Sequence, residues 1–218
     1  MAGPSRNYSK ELEKLLQGLQ QKGSVPRLLL HACCAPCSSA VLERLSPHFA
    51  ITLLYYNPNI APFAEYQKRE AELRRLVAEM DLPNPVSFLP CDYDGEAFEA
   101  MAQGLEDVPE GGARCLKCYR LRLREAARAA AEGGFDYFTT TLSISPLKNA
   151  PALNRIGEEV GEEFGVKHLP SDFKKKDGYK RSVELSRQFS LYRQDYCGCV
   201  YSQRERARQQ AQTEKGRE

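Results

Sequence analysis

Short apolar runs and stretches of helical period alternate along this chain, and that alternation limits what it can fold into. RLLLHAC reads as a strand, CSSAVLERLSPHF as a helix and ITLLYYN as a second strand. AEYQKREAELRRLVAEM is helical, with Leu73, Leu76, Val77 and Met80 on one face, and VSFLPCDY is a third strand followed by a short helix, EAFEAMAQGLE. DVPEGGAR then interrupts the pattern with proline and two glycines. CLKCYRLRLREAARAAAEGG is helical, with Tyr119, Leu123, Ala126, Ala127 and Ala130 at helical spacing and Gly133 as its stop. FDYFTTTLS is a β-rich run, LKNAPALNRIGEEVGEEFG a helix or a pair of helices broken near Pro151, and VKHLPSDF a last strand. GYKRSVELSRQF and CVYSQRERARQQAQ close the chain as helices. Strands alternating with helices predict an α/β fold, a Rossmann-like parallel sheet with helices on both faces, here with a helical C-terminal extension. The expected division is a helical or flexible segment over 1–24, one Rossmann-like domain over 25–202 and a basic helical or disordered tail over 203–218.

Eight cysteines need an explanation in such a chain. No run is long or apolar enough to span a bilayer. The opening MAGPSRNYSKELEKLLQGLQQKGS is polar and helical, unlike a charged-then-apolar signal peptide. The expectation is therefore a cytoplasmic protein with no membrane partner, where disulfides do not persist. Free cysteines buried as small hydrophobes account for one or two, and Cys91 in LPCDYD fits that description. The other seven fall in three groups: Cys33, Cys34 and Cys37; Cys115 and Cys118; Cys197 and Cys199. Parallel sheets collect their working groups at the carboxyl ends of the strands. HACCAPCSS, YNPNI, TTTLSISPLKN and SDFKKK all fall there, and helix amino ends after the first and third of these favour thiolates or phosphate.

Thiolates suit zinc, copper(I) and iron–sulfur clusters. A structural zinc site wants four ligands in paired knuckles; Cys115-Leu-Lys-Cys118 supplies one half, but adjacent Cys33 and Cys34 are awkward as the other. A redox C-x-x-C at Cys34–Cys37 or Cys115–Cys118 leaves the remaining groups unexplained. Number and spacing favour one cubane on four thiolates, with leftover thiols for a second metal.

Six ordered blocks, HACCAPC, YYNPNI with EY and an arginine shortly after, RCLKCYRLRL, FTTTLSISPLKN, DFKKKDGYKRSVELS and LYRQDYCGCVYS, together resemble the cobalamin-independent epoxyqueuosine reductase family, the QueH type. The resemblance runs from about His31 to Ser202. It implies an oxidoreductase that removes the epoxide oxygen from epoxyqueuosine at the tRNA wobble position, giving queuosine in the last step of that modification. It also implies a fold related to the adenine nucleotide alpha-hydrolase group, a 4Fe–4S cluster and an additional metal ion, expected to be iron. Carried over, Cys33, Cys34, Cys115, Cys118, Cys197 and Cys199 become metal thiolates, with Cys37 as a seventh ligand. The partners implied are tRNA bearing epoxyqueuosine and a separate electron donor.

Converting an epoxide to an alkene takes two electrons and two protons and releases water. Tyr56, Asp195, Tyr196 and a metal-bound water are the candidate proton sources. Asn57 and Asn59 can read a base edge, and Thr140 and Ser143, within the run from Thr139 to Ser145, can bind phosphate or substrate oxygens. Lys148, Asn149, Lys180, Arg181 and Arg193 are candidates for tRNA backbone contacts, and Tyr192 and Tyr196 for stacking on a splayed base. Arg69 and Arg122 are placed to stabilise an anionic cluster. His31 reads as a hydrogen-bonded core histidine, and His48 and His168 as surface or edge residues. A net charge of +2 makes no case for indiscriminate nucleic-acid binding. Two other readings compete. A tRNA sulfur-transfer enzyme on a related fold would need an SGGxDS-like loop where CCAPCSS stands, and a structural zinc protein that binds RNA would be colourless.

Overall fold

The central strand of the sheet is buried without a break from Leu28 to His31, and its period of two builds both layers of the core. The computed structural model describes residues 6–215. Strand β1 (Arg27–His31) pairs in parallel with β2 (Ala50–Leu54) on one side and with β4 (Tyr137–Thr140) on the other. Strand β3 (Val86–Leu89) flanks β2 and β5 (Lys167–His168) flanks β4, so the all-parallel order is β3-β2-β1-β4-β5. Leu28 and Leu30 point into one apolar cluster and Leu29 into the other, as alternate side chains of a strand must. The first cluster takes its side chains from α1 (Tyr8–Lys22), α2 (Ala35–Leu45), α3 (Phe63–Glu79) and α7 (Gly178–Gln188). The second takes them from α5 (Ala113–Glu132) and α6 (Ala150–Phe164). The short α4 (Gly95–Ala102) packs Phe98 and Ala102 against Cys118 and Cys199, and α8 (Val200–Lys215) ends the described chain. Among the described residues no helix is long and apolar enough to cross a membrane.

This is the α/β arrangement that the alternation predicts, with three local differences. The β-rich run FDYFTTTLS is a strand only over Tyr137–Thr140; Thr141–Ile144 turns into a 3-10 helix capped by the Thr140 hydroxyl, which accepts from Leu142 N at 3.2 Å. The expected break near Pro151 does not occur. Pro151 sits in the first turn of α6, where its missing N–H leaves no bond unmade, and the Asn149 side chain caps Ala152 N at 3.0 Å. The last strand is only two residues long, although Leu169 N still donates to Phe138 O at 2.8 Å.

His168 lies on the edge strand β5, as expected of an edge residue, but its ring turns inward. The ring lies edge-on to Phe138 with centroids 5.2 Å apart, and both ring nitrogens are buried without a partner. Gly157 makes room for it, since a Cβ there would come within 2.4 Å of the ring. Burial pushes its pKa down to about 3, so the ring is neutral.

Residues 1–5 and 216–218 of the expected terminal segments lie outside the described residues. The remainder of the N-terminal segment is the capped helix α1. The Asn7 side chain bonds Lys10 N at 3.1 Å, Gly23 closes the helix at φ 61°, and Leu12 is 0% exposed within the first cluster. Deleting a fully buried leucine side chain costs about 2–5 kcal/mol. Leu12→Ala should therefore lower the urea midpoint by a corresponding amount; an unchanged midpoint would mean that α1 is not part of the cooperative unit.

Candidate metal centre

The sheet order puts β1 between β2 and β4, so its carboxyl end opens where the chain crosses to opposite sides, the usual ligand crevice of such sheets. The strand ends on His31, which is wholly buried. Its Nε2 must donate to Tyr56 O at 2.9 Å, so Nδ1 accepts from the Thr140 hydroxyl at 2.8 Å. Burial and the Arg122 charge push its pKa down to about 3. The ring is a neutral spacer that fixes the turn.

Immediately beyond, Cys34 occupies the N-cap of α2 in extended conformation, with Pro36 in the first turn. The sulfurs of Cys33, Cys34 and Cys37 lie within 4.8 Å of one another, with Cys33 and Cys34 3.8 Å apart. Thr141, the first residue of the 3-10 helix after β4, accepts from Cys33 N at 3.3 Å and donates to Cys33 Sγ at 3.4 Å. Cys33 is held well below an ordinary thiol by hydrogen bonds from Cys34 and Cys37, and Arg122 adds to the effect. The same contacts with Cys33 push Cys34 and Cys37 up. Three sulfurs at this separation could hold a metal ion.

The other four grouped cysteines surround a second, smaller space. Cys115 and Cys118 lie one turn apart at the start of α5, and Cys197 and Cys199 flank Gly198 just before α8. Gly198 has φ 112°, and a Cβ on it would come within 2.9 Å of Arg69 Nη1 and 3.0 Å of Ile60 Cγ1. Only glycine fits this turn, which docks through Ala61 N to Gly198 O at 3.1 Å. Backbone N–H groups already point at two of the sulfurs, Gly111 N at Cys115 Sγ (3.2 Å) and Ser202 N at Cys199 Sγ (3.4 Å). Burial pushes the Cys115 and Cys118 thiols up, and burial with the neighbouring Cys197 pushes Cys199 up to about 12. Cys91 stands apart, packed in the second apolar cluster and raised chiefly by burial.

The two thiol groups meet at a cavity of about 590 Å³ lined by Cys33, Cys34, Cys37 and Cys197. Of the residues singled out in the sequence, Asn57, Asn59, Lys148, Arg193, Asp195 and Tyr196 also line it. Asn57 Nδ2 donates to Ala32 O at 2.8 Å, which fixes the amide; its Oδ1, like that of Asn59, is buried without a partner. Tyr196 lies under the Arg69 guanidinium at 5.0 Å, and burial raises its phenol. A hydrogen bond from Arg206 holds Asp195 below the ordinary carboxylate range.

Lys148 is buried, with Nζ 2.8 Å from Glu110 Oε1, so it faces the cavity rather than outer solvent. Arg69 and Arg122 line it too, whereas Tyr56, Thr140, Ser143, Asn149, Lys180 and Arg181 do not. The Tyr56 phenol is pushed up to about 12 by burial and by Asp94, on the side of the second cluster. Thr140 serves His31, and Ser143 is buried with its hydroxyl against Ser171 at 3.2 Å. Asn149 is the cap of α6, Lys180 is exposed, and Arg181 is engaged by Glu43 and Glu184.

One group escaped the sequence reading. Glu110, in the irregular DVPEGGAR segment, takes Lys148 on one oxygen and Ser202 Oγ on the other at 2.9 Å. It thereby ties three segments around the thiols. Burial raises its pKa, but the Lys148 charge and both hydrogen bonds outweigh that and keep it ionised. A lone glutamate between proline and glycine carries no periodic signal; only its tertiary partners reveal it.

The buried charges match an anionic occupant. Arg69 and Arg122 are 2% and 1% exposed, and each leaves one guanidinium nitrogen buried without a partner. Arg69 retains Glu65 at 2.7 Å, whereas the groups that hold Arg122 charged against burial are Cys118, Cys197 and Cys33. A donor set of thiols facing orphaned guanidinium N–H groups fits a thiolate-bound metal centre.

A protein-family model described as "Epoxyqueuosine reductase QueH" matches residues 28–205. The chain is 41% identical over 200 residues to "Epoxyqueuosine reductase QueH" of Staphylococcus epidermidis, covering 90% of this chain and 84% of the relative. It is 42% identical over 198 residues to the protein of that name from Streptococcus pyogenes, covering 90% and 78%. With the Thermotoga maritima protein of the same name it shares 33% over 193 residues, covering 87% and 97%.

The grouping of sulfurs generates a direct test. Cys118→Ser and Cys197→Ser should abolish or strongly reduce the visible absorption of anaerobically reconstituted protein, whereas Cys91→Ser should leave it unchanged. Bleaching by Cys91→Ser but not by Cys118→Ser would contradict the grouping.

Proposed function

The chain belongs to the epoxyqueuosine reductase QueH family, and on that premise we propose how its residues divide the work of reducing epoxyqueuosine to queuosine in tRNA. The observation that carries the proposal is the difference in spacing between the two sets of thiols. A single tetrahedral ion with metal–sulfur bonds of about 2.3 Å sets its sulfurs roughly 3.8 Å apart. Cys33, Cys34 and Cys37 are close to that spacing. No three of Cys115, Cys118, Cys197 and Cys199 come so close together, which suits a larger group. On this reading the four hold a 4Fe–4S cluster, and the three hold a separate ion, iron. When bound, such a cluster supplies electrons one at a time, and a neighbouring ion with an open position supplies Lewis acidity. All eight cysteines are free, as a reducing cytoplasmic setting would keep them, and the electrons come from a separate donor.

The chain's own residues have three tasks at the cavity. The first is to hold the modified nucleoside: the unpartnered Oδ1 atoms of Asn57 and Asn59 accept from its donors, and Lys148 offers an ammonium held in place by Glu110. The second is to supply protons for the oxygen that leaves as water. Asp195 is ionised at neutral pH through Arg206, so it has no proton to give. Tyr196 keeps its proton at neutral pH and lines the cavity, so its Oη is the better source than Tyr56, which does not line it. The third is to bind the tRNA around the wobble position, for which exposed Arg193 at the cavity and exposed Lys180 in the first turn of α7 are suited. Arg181 already has two carboxylate partners and contributes less.

Anaerobic reconstitution followed by assay tests this reading. About four iron and four sulfide per chain plus one further metal are expected, and an anticodon stem–loop carrying epoxyqueuosine should be reduced far better than the free nucleoside. Each phosphate contact on a single strand steepens the salt dependence of binding by about 0.7 in slope, so replacing Lys180 and Arg193 by alanine should flatten it without loss of colour. Zinc with no acid-labile sulfide would overturn the metal assignment, and equal turnover of free nucleoside and tRNA would overturn the RNA assignment. General acids contribute about 10²–10⁴-fold, so Tyr196→Phe should lower turnover by at least the smaller factor with iron and sulfide unchanged. Full activity in that variant would remove Tyr196 from the proton path.

A further inference from the structure

Arg122 is the bulkiest of the fully buried side chains. It follows Cys118 by one turn of α5, and its Nη1 lies 3.9 Å from Cys118 Sγ. It lines both the large cavity, with the Cys33 group, and the smaller one, with the Cys115 group. Its Nε faces His31 Nε2 at 3.4 Å, but that nitrogen carries the proton given to Tyr56 O, so the ring is a neighbour rather than an acceptor. Nη2 is buried with no partner. Among the described residues no carboxylate pairs with it, unlike Arg69, which keeps Glu65.

Burying a guanidinium without a counter-ion is strongly destabilising, so a positive charge in this position implies that negative charge belongs beside it. We propose that Arg122 is a fixed counter-charge shared by the two thiol groups, and that it raises the reduction potential of the centre they hold. The inference rests on the reading of the seven thiols as metal ligands.

Electrostatics set the direction of the effect. Reduction adds one electron, hence one negative charge, to an already anionic group of thiolates and metal. A guanidinium held within a few ångströms in a medium of low dielectric attracts the reduced form more strongly than the oxidised form. Its N–H groups also donate toward sulfur, and hydrogen bonds to sulfur are among the levers that tune such centres. The charge cannot be titrated away, because arginine stays protonated across the accessible pH range. Its position between the groups has a second consequence: both sets of thiolates feel the same cation, so the charge state of one influences the other.

The experiment is a redox titration of anaerobically reconstituted full-length protein, followed by electron paramagnetic resonance, for wild type, Arg122→Gln and Arg122→Lys, with Arg124→Gln as a control on the exposed face of the same helix. Arg122→Gln should move the midpoint to more negative values by at least the equivalent of a tenfold change in the reduction equilibrium, 59 mV for one electron. Arg122→Lys should stay near wild type, and Arg124→Gln should not move. If Arg122→Gln fails to retain its iron, retention by Arg122→Lys with a near-wild-type midpoint supports the counter-charge, and loss of iron in both variants overturns it in favour of shape alone. A loaded Arg122→Gln protein with an unshifted midpoint also overturns it. Turnover of epoxyqueuosine-bearing tRNA by the wild-type protein tests the functional reading separately. Its failure would strike that reading, whereas an unshifted midpoint in an active enzyme strikes only the role of Arg122.

Discussion

Seven thiols gathered in a largely buried space carry more potential negative charge than a protein interior tolerates, and the rest of the site is arranged around that constraint. Four buried cations, Arg69, Arg114, Arg122 and Lys148, stand against it. Among the described residues, only Arg69 and Lys148 of these have carboxylate partners, Glu65 and Glu110, and both of those carboxylates belong to loops or helices that also shape the cavity. Neutral imidazole at His31 keeps a further positive charge out of the centre while tying β1 to β2 and β4. The fold supplies the frame: a parallel sheet directs its loops to one edge, and the order β3-β2-β1-β4-β5 opens a crevice at the end of β1.

The thiols come from three remote segments, and each is locked by a different device. The Cys33 group sits at the start of α2 and is gripped by Thr141 from the 3-10 helix after β4. Cys115 and Cys118 share the first turns of α5, a helix buried along Tyr119, Leu123, Ala126 and Ala130. The Cys197–Cys199 turn depends on the positive φ of Gly198, on Ala61 N and on Ser202, whose hydroxyl also reaches Glu110.

Much of this was legible in the sequence because periodic and grouped features survive without tertiary information. Leu28 to Leu30 announce a strand buried on both faces, and the placement of HACCAPCSS after it announces a site at its end. The sequence also paired Arg69 and Arg122 with the thiols, and the structure puts both at the cavity. What was not legible depends on side-chain direction and on pairing across the fold. Tyr55 and Tyr56 are neighbours in the chain but point to opposite layers, so Tyr56 does not line the cavity. Thr140 and Ser143 read as hydroxyls for phosphate or substrate oxygens, and the sequence does not show that His31 and Ser171 engage them. Lys148 reads as a phosphate contact until Glu110, invisible to any period, draws it inward. His168 is an edge-strand residue, but nothing in the sequence says that Gly157 leaves its ring a slot.

The central claim is that two sets of thiols with different spacing hold two different occupants. Acid-labile sulfide measured alongside iron, in reconstituted proteins altered in one set at a time, tests it most directly. Cys37→Ser should keep about four sulfide per chain and lose or weaken only the additional metal, whereas Cys115→Ser should lose sulfide. Loss of sulfide in Cys37→Ser with retention in Cys115→Ser would contradict the division of the thiols.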